Sequence, residues 1–248
     1  MISPEHALLV HAGFEWLAML AGAQLYFRER RLDGINTMLQ PQNYAVLFGC
    51  LLGAALGNKA AFWIESPQSW VPENPAWQFF LGGQSMVGGL VGGYIGVEIA
   101  KHCVGLRQSV GDAFVFPILL GLMIGRIGCF LAGLQDATYG LPTTLPWGVD
   151  FGDGVRRHPT QLYEIIFALG MWWNLQRLQP RIASTPGLLF KLFMAAYLLW
   201  RLLIDLLKPA PHAYALGLSG IQWVCVITLV LYTPLMLRQW RQSRMVLA

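Results

Sequence analysis

Three cations are embedded in stretches of chain that are otherwise apolar: Lys59 in "LGNKAAFW", Arg126 in "LMIGRIGCF" and Arg201 in "YLLWRLLIDLLK". A cation in hydrocarbon costs roughly 2.5–3.5 kcal/mol on insertion scales, so such residues face a bundle interior or a water-filled cavity rather than lipid. Gathered in one place they would bind an oxyanion, and the planar fork of arginine matches phosphate oxygens in pairs. Lys59 taken alone has a second reading, a long stem that snorkels to the interface. Around Arg201 the spacing is more informative. Tyr197, Arg201, Asp205 and Lys208 fall at i, i+4, i+8 and i+11, on one face of a helix. That stripe is either a working polar surface or an Arg201–Asp205 pair that merely neutralises both partners.

A second group of reactive types lies in "GDGVRRHPTQLYE", residues 152–164, immediately before the apolar run "IIFALGMWW". It supplies Arg156, Arg157, His158, Gln161, Tyr163 and Glu164. An imidazole titrates near pH 6.5, so His158 is a candidate general base with Glu164 as its orienting partner. A histidine just before Pro159 is equally compatible with a helix N-terminal cap region. In "GGQSMVGGLVGGYIG" the spacings Gly88 to Gly92 and Gly92 to Gly96 permit close helix approach. Gly82 and Gly83, followed by Gln84 and Ser85, could instead leave backbone N–H groups free for a phosphate at a broken helix. Cys129 follows Arg126 by three residues. A thiol beside a cation ionises more readily and could act as a nucleophile, whereas a lone buried cysteine is also a small apolar filler.

The elements that must position these residues are membrane helices. Of the 248 residues 55% are hydrophobic and only 12% charged, with mean hydropathy +0.48, whereas a soluble domain carries about 25% charged residues. A spanning helix needs about 20 mostly apolar residues. Seven stretches qualify, near Ala7–Phe27, Tyr44–Ile64, Gln78–Ala100, Ala113–Gly133, Gln161–Leu175, Gly187–Leu207 and Ser219–Leu237. The expectation is therefore an all-α integral membrane protein, one polytopic domain over residues 1–248 with no separate soluble domain. Residues 134–158 form a small irregular head, because Gly140, Pro142, Pro146, Gly148, Gly152 and Gly154 interrupt any helix there. "MISPEHALLV" has no positive n-region, so the first apolar stretch is read as retained.

Lys and Arg concentrate in short cytoplasmic loops. Eleven of the seventeen fall on one side: Arg28, Arg30, Arg31, Lys101, Arg107, Arg177, Arg181, Lys191, Arg238, Arg241 and Arg244. The amino terminus is accordingly expected outside and the carboxyl terminus in the cytoplasm. Lys59, Arg126 and Arg201 then occupy the outer halves of their helices, on the side of the 134–158 head. Trp70 and Trp77 are expected to anchor the loop at 66–77 to the lipid–water boundary. The four cysteines have no C-x-x-C spacing, and no ligand cluster in the sequence suggests a metal. No cofactor and no nucleic acid are implied.

"GRIGCFLAGLQDATYGLPTTLPWGVDFGDGVRRHPTQLYE", residues 125–164, resembles the bacterial prolipoprotein diacylglyceryl transferase family. The family has a Gly-Arg-x-Gly-x-Phe helix end, a Pro-Trp-Gly in a loop head and a His-Pro-(Ser/Thr)-Gln-Leu-Tyr-Glu return. "LGNK", "GGQSMVGGLVG", Tyr197 four residues before Arg201, and "LSGIQW" extend the similarity in order over nearly the whole chain. The resemblance implies an enzyme of the bacterial inner membrane that moves the diacylglyceryl group of phosphatidylglycerol to the lipobox cysteine thiol of a prolipoprotein, releasing glycerol phosphate. Arg126 and Arg201 would stabilise the departing phosphate, Lys59 would add charge, and Tyr197 would orient Arg201 or bond the head group. Gly82, Gly83, Ser85, Gly88, Gly89, Gly128, Gln161, Tyr163, Glu164 and Asp205 would line the substrate.

Departures from the family pattern are specific. Val87 stands where the family has histidine, Cys129 where it has asparagine, Lys59 where it has arginine, and the first-span tyrosine aligns at Ala12. A valine cannot carry a proton. Either His158 or a carboxylate such as Glu164 moves the proton, or the chain is a paralogue with another acceptor, or it binds or transports phospholipid without chemistry.

Overall fold

The computed structural model describes residues 4–32, 41–67, 83–136 and 138–247. Among them are seven long helices: α1 (Pro4–Leu32), α2 (Pro41–Glu65), α3 (Met86–Val104), α4 (Val115–Ala132), α5 (Thr160–Ile182), α6 (Leu188–Ile204) and α7 (Gly220–Leu247). Four stretches are long and apolar enough to cross a membrane: His6–Arg30, Asn43–Glu65, Asp112–Asp136 and Gly220–Arg241. Their outward faces carry Leu8, Trp16, Phe48, Leu51 and Val230, each at least 62% exposed. Apolar surface of that extent has no place in water and is the lipid-facing side of the bundle.

Among the boundaries that differ from the sequence expectation, three bear on the site. Residues 83–85 are not helical and α3 begins at Met86, because the Ser85 hydroxyl accepts the Gly88 N–H at 3.2 Å and caps the helix. α5 runs seven residues past the expected Leu175, to Ile182; Pro180 lies in its last turn, where it takes away one backbone hydrogen bond shortly before the helix ends. α6 ends at Ile204 and tightens into a 3₁₀ turn, Asp205–Leu207. The expected Trp70 and Trp77 anchors and Gly82 lie outside the described residues.

Two helix pairs are fixed by missing side chains. Gly49, Gly53 and Gly57 of α2 face Gly96, Gly92 and Gly88 of α3, and a Cβ on any of them would collide with backbone of the opposite helix. The second half of this pairing, the 49–53–57 series, was not read from the sequence. α1 and α4 approach less closely: a Cβ at Gly128 would lie 2.5 Å from the Cβ of Phe14 and 3.6 Å from the His11 carbonyl oxygen. Such backbone proximity replaces hydrophobic driving force between helices in lipid.

α6 is the buried centre, with Leu188, Phe193, Met194, Tyr197 and Leu198 at most 1% exposed. They pack against Leu119 of α4, Ala168 of α5 and Cys225 of α7 in one apolar cluster. Asp112 secures its amino-terminal end, accepting the N–H groups of Gly187 (2.6 Å) and Phe190 (2.8 Å). Residues 138–159 are irregular apart from two short antiparallel strands, β1 (Val149–Asp150) and β2 (Arg156–Arg157). Their turn is held by the Asp150 carboxylate, which accepts the N–H groups of Gly152, Asp153 and Gly154.

Candidate functional site: a buried ion cluster

Glu164, in the first turns of α5, is 1% exposed, and a carboxylate so placed must be paired. Its Oε2 meets Arg126 Nε of α4 at 2.5 Å. Its Oε1 meets Lys208 Nζ at 2.5 Å and Arg201 Nη1 of α6 at 3.2 Å. Arg201 turns its other terminal nitrogen to Asp205 Oδ1 at 3.0 Å, and Lys208 lies 3.8 Å from the same oxygen. In mutual contact, three cations thus face two carboxylates, and Glu65 and Asp136 lie close enough to act on Arg201 and Arg126.

Each partner reaches this point for a local reason. Arg201 and Asp205 are one helical turn apart. The 3₁₀ turn after α6 brings Lys208 back beneath Arg201 and keeps it in the stripe although the α-helix has ended. Glu164 is aimed inward because Thr160 and Gln161, both with no exposed surface, seat the start of α5. Thr160 Oγ1 donates to the Thr138 carbonyl at 2.6 Å, and Gln161 Nε2 donates to Thr138 Oγ1 at 3.2 Å. Four residues beyond α6, burial and the neighbouring Arg201 pull the Lys208 ammonium down to about 8 against the opposing pull of Glu164. The hydroxyl of Tyr197 is buried without a hydrogen-bond partner.

The sequence-predicted residues therefore divide. Arg126, Arg201, Glu164 and Asp205 are joined in one cluster, and the Arg201–Asp205 pair is real but is only part of it. Glu164 does not orient His158, since its oxygens are taken by the three cations. The imidazole Nδ1 lies instead 3.3 Å from the Tyr163 hydroxyl, which also accepts Trp147 Nε1 at 2.8 Å. Lys59 donates to the Gly83 carbonyl at 2.9 Å. Gly83 has φ +59° with the Phe62 ring against it, a conformation that favours glycine.

The idea of free N–H groups at residues 82–85 meets a correction. It applies to Ser85, whose N–H donates to Asn58 Oδ1 at 2.5 Å while its hydroxyl caps α3. Gly88 and Gly128 act in helix packing, whereas Gly89 has ordinary room beside Ala54 and Asn58. Val87 is 1% exposed and belongs to the apolar core. Sequence reading missed Asn58 and gave Lys208 no role beyond the stripe; the polar type of Asn58 inside "LGNK" was the available signal.

Cys129 lies with its sulfur 3.6 Å from Arg126 Nη1. It also has neighbours that the sequence did not connect to it. His11 of α1, Cys129 and Asp136 place their donor atoms within 4.8 Å of one another.

Comparison with known sequences identifies the family. Residues 5–238 match the family described as prolipoprotein diacylglyceryl transferase. A Bordetella parapertussis protein named phosphatidylglycerol–prolipoprotein diacylglyceryl transferase is 32% identical over 215 residues, covering 80% of this chain and 79% of its own. Proteins of the same name from Geobacter sulfurreducens and Idiomarina loihiensis are each 30% identical, over 237 and 250 residues. They cover 88% and 93% of this chain and 86% and 88% of their own lengths. With the ion cluster inside an apolar helical bundle and the match running from α1 into α7, the chain belongs to the prolipoprotein diacylglyceryl transferase family and is a membrane transferase.

Proposed function

We propose that the chain transfers the diacylglyceryl group of phosphatidylglycerol to the lipobox cysteine of a prolipoprotein. The acceptor thiolate attacks the glyceryl CH₂ that is esterified to phosphate. A C–S bond forms, the C–O bond breaks with its electron pair on oxygen, and glycerol phosphate leaves. The thiol proton goes to a base, for which His158 is the available imidazole in the 152–164 segment. The observation that carries this reading is the convergence of Arg126, Arg201 and Lys208 on the single buried carboxylate of Glu164. Fixed cations that meet the growing charge of a departing phosphate lower the barrier more than they favour the resting lipid. Glu164 then acts to hold the two guanidinium groups in register before the substrate arrives.

In this reading the amino terminus and the 134–158 segment face outward, where prolipoproteins emerge, and the carboxyl terminus faces the cytoplasm of a bacterial cell. A second acceptor class has a specific observation in its favour: Val87 is packed into the core where the family pattern carries histidine.

Mass spectrometry of products from labelled phosphatidylglycerol and a lipobox peptide distinguishes the two. The expected product is the diacylglyceryl thioether with one glycerol phosphate. Arg126→Lys and Arg201→Lys should each lower turnover substantially, because lysine keeps the charge but lacks the planar fork. Full activity of Arg126→Ala or Arg201→Ala at matched protein level would rule the phosphate role out, and lipid consumption without peptide modification would favour another acceptor.

A further inference from the structure

We propose that His11, Cys129 and Asp136 form a binding site for a divalent transition metal of the zinc class, tying α1 to the turn that follows α4. Nothing in the proposed reaction requires this site, and its occupancy is measured without turnover. His11 is far along the chain from Cys129 and Asp136, which lie in consecutive elements. His11 lies in the first half of α1, Cys129 near the end of α4, and Asp136 closes the 3₁₀ turn Gly133–Asp136. What brings them together is Gly128. Its missing side chain lets α4 lie against Phe14 and the His11 backbone, which sets the thiol of Cys129 beside the imidazole.

The geometry is that of ligands around an ion. His11 Nδ1 and Asp136 Oδ1 are 3.3 Å apart, and two ligands at about 2.0–2.1 Å from a tetrahedral zinc subtend an edge of about 3.3–3.4 Å. The thiol completes a triangle in which all donor atoms lie within 4.8 Å. His11 Nδ1 is buried and has no hydrogen bond, although it faces the carboxylate. Its other nitrogen, Nε2, lies 3.1 Å from Glu15 Oε1. A carboxylate behind the distal nitrogen is the usual support of a metal-binding histidine, because it fixes the tautomer and aims the ring. Asp136 is supported in the same way: Oδ2 accepts the Thr138 hydroxyl, so Oδ1 is the oxygen turned to His11.

Donor chemistry selects the metal class. One thiolate, one imidazole and one carboxylate suit zinc and its borderline-soft neighbours and not magnesium or calcium, which take oxygen ligands. The two anionic ligands balance a divalent ion. Arg126 pairs with Glu164 through Nε and lies with Nη1 3.6 Å from the Cys129 sulfur, where it favours the thiolate. Three protein ligands leave a fourth position for water.

The test uses the full chain in detergent, stripped with a chelator and dialysed. Titration with Co²⁺ should give a near-ultraviolet thiolate-to-cobalt band that saturates at one ion per chain and is displaced by Zn²⁺. Cys129→Ser should abolish the band, His11→Ala should weaken binding strongly, Glu15→Gln should weaken it about 10–100-fold, and Cys103→Ser should leave it unchanged. X-ray absorption of the wild-type chain carrying one equivalent of zinc needs no variant to fold. It should show one sulfur among nitrogen and oxygen ligands. An all-nitrogen/oxygen shell, a cobalt band that survives Cys129→Ser, or a wild-type chain that takes up no equivalent of metal would each overturn the site.

Discussion

Replacing Glu164 by glutamine removes one negative charge from a group that is 1% exposed and touches Arg126, Arg201 and Lys208. Afterwards three cations face Asp205 alone, and Arg126 loses its ion-pair contact at 2.5 Å. Removing one partner of a buried ion pair costs about 3–5 kcal/mol. Glutamine keeps the volume and one carbonyl acceptor, which puts the expected loss at the lower end, about 3 kcal/mol. For a chain of this size that corresponds to a fall of about 6–12 °C in unfolding midpoint, read by thermal unfolding in a fixed detergent. Glu164→Asp, which keeps the charge on a shorter stem, should lose less. Adding Lys208→Met to Glu164→Gln should restore part of the loss, because the surplus cation is then gone and the two sites share one network. A Glu164→Gln protein that melts within a degree of wild type, or a double variant no better than the single one, would refute the assignment of Glu164 as the organising charge.

Lys208 has its folded value pulled down to about 8 from an ordinary 10.5. The unfolded chain therefore binds more protons between these values, and this group makes stability rise with pH in that window. Activity should instead decline as pH climbs through about 8 and the ammonium that tethers Glu164 is lost; Lys208→Arg should move that alkaline limb upward, and an unchanged pH–rate profile would count against the tether. Gly92→Ala puts a methyl group against the Gly53 carbonyl and should cost about 1–3 kcal/mol by overpacking, measured as a lower unfolding midpoint, whereas Gly105→Ala, with open space around it but φ +69°, tests the backbone term alone. Cysteines introduced at Asp153 and Arg238 should label from opposite sides of the membrane; labelling of both from one side would overturn the proposed orientation.

Some of this protein was legible in the sequence because it depends on near neighbours along the chain. The apolar runs of about 20 residues set the helical class, and the i, i+4 step placed Asp205 beside Arg201. The Gly88–Gly92–Gly96 spacing announced a close helix contact, and proline and glycine announced the irregular backbone seen over residues 138–159. Of the three cations in apolar surroundings, Arg126 and Arg201 share a site, as the cost of an unpaired charge in lipid suggests.

Tertiary structure alone decided which charges meet. Glu164 looked like a partner for His158, six residues away, yet it binds Arg126, Arg201 and Lys208, which lie between 37 and 44 residues away or on another helix. The answering glycines of α2 became meaningful only once α2 and α3 were seen in contact, since a small residue carries no mark of the backbone it admits. His11, Cys129 and Asp136 show the same limit: neither their types nor their spacing sets them apart along the chain, and only the close approach of α1 to α4 at Gly128 makes them neighbours. Local periodicity fixes the direction in which a side chain leaves its own helix, but the group it meets depends on how helices cross, and that is set by packing over the whole bundle.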